Sequence, residues 1–292
     1  MFILGMASRL LSQAEFRVPR QAQWYAAGAR DRAFINELTV KDVLSGRLVP
    51  FGETNTPAEP RILVWGDSHA MAVLPAFDDR AKQYGVRGVA VTHSATPPIY
   101  SERSLELGKG MTGEKAREFG QAVIQYIQLH GIRQVILVAN WSTYCDRAGK
   151  PVGSGSVVVE NYETLTQALA QTVTVLEKKG ASVWVLEEVP RHGADVPRIL
   201  ARCSMWGGDA DEFAATVGDP AGGAKFASVA QGALLKAGAK WVSVAPLLVA
   251  PDGEHYRMSD GGGALYRDRH HLTVRGAMFV REGLNVIFDE SK

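Results

Sequence analysis

No apolar run in the sequence reaches the ~18 residues that a membrane-spanning helix needs. The longest candidate near the start, Phe2-Ile3-Leu4-Gly5-Met6-Ala7, is short for the core of a signal peptide, and no basic region precedes it. Excess charge of either sign is also missing: 32 Lys and Arg face 31 Asp and Glu, a net charge of +1 at pH 7. That balance leaves no basic footprint for nucleic acid and no acidic tail. Cysteine is scarce. Cys145 and Cys203 are the two thiols in 292 residues, too few for a disulfide-built miniprotein. They read as lone thiols, with one disulfide left open for an oxidising compartment. Internal repeats and low-complexity tracts are absent as well. What remains is 46% hydrophobic and 22% charged, with 30 glycines. Such a mix suits a soluble globular protein with a sizeable core, and excludes a disordered chain or a coiled coil.

Two regions differ in pattern. Residues 1–60 read as an N-terminal extension with helical pieces at Ser8–Phe16 and Arg20–Asn36. A turn-rich linker, Phe51 to Pro60, closes it. Residues 61–292 read as the main domain. There, apolar runs recur at Ile62–Trp65, Val86–Val91, Gln134–Val138, Ser182–Leu186 and Lys240–Val244. Runs without polar alternation suit parallel strands covered on both faces. Helical patterns lie between and after them at Glu114–His130, Tyr162–Lys179, Lys225–Ala237 and Val274–Phe288. This alternation predicts an α/β fold of βαβ units with right-handed crossovers. Gly207–Gly223, rich in Gly and Asp, reads as a surface loop.

Ligands of such sheets sit beyond the carboxyl ends of the strands. Gly66-Asp67-Ser68-His69 follows the first run and puts Ser68 near the start of a helix. Free backbone N–H groups there favour developing negative charge. Pro75 predicts that this helix kinks or starts late. Asn140, after the third run, carries a side-chain N–H of the kind that holds an oxyanion. Asp268 and His271, three apart just before the last helix, can pair so that the carboxylate orients the imidazole. Each feature alone is ordinary: Ser as an N-cap, Asn in a turn, Asp-x-x-His in a solvated loop. Together they supply a nucleophile, an oxyanion donor and a base pair at one edge of one sheet.

These residues resemble the SGNH (GDSL-type) hydrolase superfamily. Gly66-Asp67-Ser68 matches its first block, Asn140 its third and Asp268-x-x-His271 its last. Val64-Trp65-Gly66-Asp67-Ser68-His69-Ala70 and Tyr266-x-Asp268-x-x-His271-Leu272-Thr273-x-x-Gly276-Ala277 resemble one branch more narrowly, as do Ser94-Ala95-Thr96-Pro97-Pro98 and Trp141. That branch is the SGNH domain attached to membrane acyltransferases that O-acetylate bacterial surface polysaccharides. The resemblance implies a flavodoxin-like three-layer α/β/α sandwich on a five-stranded parallel sheet. It implies Ser68 as nucleophile, Asp268 and His271 as its partners, and the Ser68 N–H with Asn140 as the oxyanion donors. A periplasmic or cell-envelope location, a glycan acceptor and a membrane acyltransferase as acyl donor follow from it too. No metal and no cofactor is implied. The chemistry expected is O-acetyl transfer through an acyl-serine, or hydrolysis as a carbohydrate esterase. Trp141 and Tyr144, beside Asn140, are candidates for stacking a sugar ring.

Two departures stand out. The superfamily's second block supplies an oxyanion Gly, yet His93 to Pro98 contains none, and the Gly-x before the third-block Asn is here Val138-Ala139. Three other readings compete with this one. Asp67-x-His69 fits the opening ligand pair of a calcineurin-like metallophosphoesterase, but Trp141 follows Asn140 and no Gly-His-x-His exists. Gly-x-Ser-x-Gly, the mark of a nucleophile elbow, is absent. A glycan-binding module that kept the fold and lost turnover is the non-enzymatic reading.

Overall fold

The structure, a computed structural model, describes residues 18–55, 58–107, 110–145, 156–209 and 224–290. The apolar runs of the main domain form parallel strands as expected. In chain order the strands are β1 (Val49–Gly52), β2 (Ile62–Gly66), β3 (Arg87–Thr92), β4 (Leu105–Glu106), β5 (Gln134–Val138), β6 (Val157–Val158), β7 (Ser182–Leu186) and β8 (Lys240–Val242). The main sheet has the order β1-β3-β2-β5-β7-β8, and β4 and β6 form a separate short ladder. Five strands, β3-β2-β5-β7-β8, are parallel. Their order is that of a flavodoxin-like sheet, with its topological switch point between β2 and β5.

Alternate strand residues enter opposite cores. Leu63, Trp65, Val135, Leu137, Val183 and Val185 pack under the helices Glu114–Leu129, Tyr162–Lys178 and Ala224–Lys236. Ile62, Val64, Ile136, Val138, Trp184 and Leu186 pack under Ser68–Gln83, Val196–Met205 and the C-terminal helices. Period-two alternation with both faces apolar is what makes the strands read as unbroken hydrophobic runs. The result is the three-layer α/β/α sandwich.

The sheet has one strand more than the five expected. Val49–Gly52, placed in the extension by its sequence, pairs antiparallel with β3 at the sheet's edge. Pro50 explains both facts: it lacks a ladder N–H, which an edge strand tolerates, and it weakens the strand pattern. The helix expected over Arg20–Asn36 spans Arg20–Gly28 and lies against Val196–Met205. Pro75 does not make its helix start late: the helix runs from Ser68 to Gln83 with Pro75 inside it. The last helical pattern is split into Val274–Val280, a 3-10 turn at Arg281–Leu284 and Asn285–Asp289. The expected helix at Ser8–Phe16 and most of the Gly207–Gly223 loop lie outside the described residues. No helix among the described residues is long and apolar enough to cross a membrane.

Candidate active site

The site begins where β2 ends. A Cβ on Gly66 would lie 1.8 Å from the Val138 carbonyl oxygen, so only glycine lets β2 and β5 approach this closely before the chain turns. Asp67 then caps the helix Ser68–Gln83, accepting from the His69 N–H at 2.8 Å. Ser68 is the first helical residue, and its N–H belongs to the turn that has no intrahelical acceptor.

Ser68 and the loop before the last helices meet directly. The Ser68 hydroxyl lies 2.7 Å from His271 Nε2. His271 Nδ1 lies 2.7 Å from Asp268 Oδ2. The other carboxylate oxygen, Oδ1, accepts the backbone N–H groups of His270 and His271, each at 2.9 Å. Burial alone raises the Asp268 carboxyl, but the His271 hydrogen bond and charge and the two N–H groups outweigh it. They hold Asp268 well below the usual carboxylate range. An ionised Asp268 fixes the proton on His271 Nδ1 and leaves the Nε2 lone pair facing the Ser68 hydroxyl. Ser68 and His271 are partly exposed, so the hydroxyl can be reached from solvent.

Asn140 arrives from the carboxyl end of β5. Its Oδ1 accepts from Arg191 Nη2 at 3.3 Å and lies 3.4 Å from the Ser142 hydroxyl. With the Arg191 donor on Oδ1, the Nδ2 group is left to donate, and it faces His270 Nδ1 at 3.4 Å. The expected set Ser68, Asn140, Asp268 and His271 therefore converges on one place.

Trp141 and Tyr144 do not join it as sugar-stacking surfaces. Trp141 is 0% exposed, its indole N–H donates to the Leu186 carbonyl at 2.9 Å, and its ring stacks on Phe226 at 5.2 Å. Tyr144 is 1% exposed and its hydroxyl donates to Asp67 Oδ2 at 2.7 Å. The 3-10 turn Trp141–Tyr144 aims both rings inward, so neither offers a face to a ligand. This corrects the stacking role given to them from their neighbourhood in sequence.

Tyr144 instead supports Asp67. Asp67 is buried and receives three donors: the His69 N–H, the Asn140 N–H at 3.0 Å and the Tyr144 hydroxyl. Burial pushes its carboxyl up and these bonds pull against it. The same carboxylate thus ties the start of the Ser68 helix to the Asn140 loop. A second buried acid, Glu188, accepts the Ser142 N–H at 2.8 Å and hydroxyl at 2.7 Å. Burial raises its carboxyl to about 7, against the Ser142 bonds and the Arg191 charge. Glu188 was legible in principle: Glu187-Glu188 follows β7 at the same edge of the sheet.

Asp67 and His69 do not form the metal-ligand pair of a phosphoesterase. Asp67 accepts three protein donors, and among the described residues the candidate metal-ligating group consists of His69, His270 and His271 without a carboxylate. The second-block loop does without glycine: Ala95 takes the left-handed conformation at φ 53°. Gly110 packs so closely on it that a Cβ there would sit 2.3 Å from the Ala95 carbonyl oxygen.

Residues 36–285 match the family model described as SGNH domain (fused to AT3 domains). The chain belongs to that family and is an enzyme of SGNH-type acyl-ester chemistry. Among solved structures it is similar to the periplasmic domain of a lipopolysaccharide acetyltransferase from Salmonella ser. Paratyphi A. That match has a TM-score of 0.65 and 15% identity over 94% of this chain and 98% of that one. A putative acylhydrolase from Bacteroides fragilis aligns with a TM-score of 0.47 and 10% identity, over 86% and 95% of the two chains. A GDSL-like lipase from Bacteroides thetaiotaomicron aligns with a TM-score of 0.46 and 9% identity, over 92% and 100%. Comparison with curated protein sequences finds no match.

Proposed function

We propose that the chain transfers an acetyl group to a hydroxyl of a cell-envelope polysaccharide, through an acyl-Ser68 intermediate. The observation that carries this reading is the continuous chain from the Ser68 hydroxyl through His271 to Asp268, with both contacts at 2.7 Å. Ser68 Oγ attacks the acyl carbonyl while its proton passes to His271 Nε2. The tetrahedral oxyanion is held by the Ser68 N–H and Asn140 Nδ2, each such donor worth roughly 3–4 kcal/mol. Collapse expels the donor's leaving group, which takes the proton from His271. The acceptor hydroxyl then loses its proton to His271 and attacks the acyl-serine, and Ser68 recovers its hydrogen as the product ester leaves. Asp268 keeps the imidazole in one tautomer throughout.

Transfer rather than hydrolysis is supported by the family, whose SGNH domains are fused to AT3 domains. It is also supported by the lipopolysaccharide acetyltransferase domain that shares the fold. An AT3-type membrane acyltransferase, in the same or another polypeptide, is the acyl source on this reading, and the envelope is the place. The burial of Trp141 and Tyr144 favours a second reading, a carbohydrate esterase, because it removes the aromatic surface expected to hold an acceptor. Incubation with p-nitrophenyl acetate and candidate glycans, followed by mass spectrometry, separates the two. Acetylated glycan that disappears in Ser68→Ala supports transfer. Free acetate alone, whatever the glycan, points to the esterase. Glycan binding with no turnover of any ester would leave a binding module.

A further inference from the structure

Beside the Ser68–His271–Asp268 chain stand two imidazoles that the mechanism does not use. His69 Nε2 lies 2.9 Å from His270 Nδ1, with the rings 5.1 Å apart and only 12° from parallel. The His271 ring is 4.8 Å from that of His69 and 4.3 Å from that of His270. One nitrogen from each of the three rings falls within 4.8 Å of the others. Three imidazoles around a tetrahedral ion, with Zn–N near 2.0–2.1 Å, place their nitrogens about 3.4 Å apart. The observed trio brackets that spacing on a scale that side-chain rotation covers.

The surroundings are those of metal-binding histidines. His271 already gives its Nδ1 proton to Asp268, the carboxylate–histidine arrangement that orients a ligating imidazole and raises its basicity. The same carboxylate anchors the His270 backbone. His69 and His270 already face nitrogen to nitrogen, so a cation between them would take the place of one shared proton, with that proton moving to the far nitrogen of its ring. The donor set is all nitrogen, which selects borderline ions such as Zn2+ over Mg2+ or Ca2+.

We infer that His69, His270 and His271 form an inhibitory site for Zn2+, which takes His271 Nε2 away from Ser68 and silences the nucleophile. The metal is an off-switch here and not a cofactor. The inhibition rests on the serine mechanism proposed above; the binding does not.

Calorimetry with zinc chloride on Ser68→Ala therefore tests the site apart from catalysis. One Zn2+ should bind per chain, and Mg2+ at the same concentration should not. In His270→Gln, at a partly exposed position and checked for folding by circular dichroism, affinity should fall at least tenfold. In the wild type, Zn2+ should suppress p-nitrophenyl acetate turnover at the concentration set by that affinity, with EDTA restoring it. Absence of saturable binding to folded Ser68→Ala, or unchanged affinity in His270→Gln, would overturn the site. Binding without any loss of ester turnover would overturn the inhibition. A wild type that binds Zn2+ but turns over no ester would instead count against the serine mechanism.

Discussion

Tyr144→Phe separates a ring that touches a ligand from a hydroxyl that supports a buried acid. Phenylalanine keeps the ring and its packing and removes only the donor to Asp67 Oδ2, now at 2.7 Å between two side chains that are each 1% exposed. Hydrogen bonds to a charged group contribute about 1.5–3 kcal/mol, and the upper part of that range applies because no solvent replaces the lost donor. Asp67 retains its two backbone donors, so the fold should survive. A pH dependence follows. Burial already raises the folded-state pKa of Asp67, and losing a donor raises it further. A carboxyl raised on folding binds more protons in the folded state, so its contribution is present at low pH and lost as pH rises. Urea unfolding, followed by tryptophan fluorescence at pH 5 and pH 8, should show a deficit of about 2–3 kcal/mol that is larger at pH 8. The ratio of glycan transfer to hydrolysis should not change. Stability within about 0.5 kcal/mol of wild type, with an altered product ratio, would refute the supporting role and return the ring to the ligand.

Trp141→Ala should cost about 3–5 kcal/mol in urea unfolding, the penalty of emptying a large aromatic position in a core, without changing the product ratio. A changed ratio at undiminished stability would contradict its burial. Glu188 is raised from 4.5 to about 7 by burial, so the wild type should lose on the order of 3 kcal/mol of stability as pH rises from about 4.5 to above 7. Glu188→Gln mimics the protonated acid, accepting from the Ser142 N–H and donating to its hydroxyl, and should flatten that part of the pH–stability curve. Parallel curves for the two proteins would show that Glu188 is not held protonated.

The sheet was legible because its parallel strands are covered on both faces and therefore appear as unbroken apolar runs. Ser68, Asn140, Asp268 and His271 were legible because each follows a strand or precedes a helix at the same edge of that sheet. β1 was hidden by its brevity and by Pro50. Trp141 and Tyr144 were misplaced because adjacency to Asn140 gives no direction: a 3-10 turn sets which way the side chains face. The support by Asp67, Glu188 and Arg191, and the meeting of His69 with His270, join segments far apart in sequence. No local pattern records such contacts, although a polar pair after β7 marks where to look.

The proposed mechanism makes Ser68 the nucleophile, activated by His271 and Asp268. Its most direct test is the intact mass of the protein after reaction with a fluorophosphonate, followed by peptide mapping, for the wild type and Ser68→Ala. The geometry predicts a single adduct on Ser68 in the wild type and none in a folded Ser68→Ala protein. An adduct on another residue, or one that persists in Ser68→Ala, would rule out Ser68 as the nucleophile.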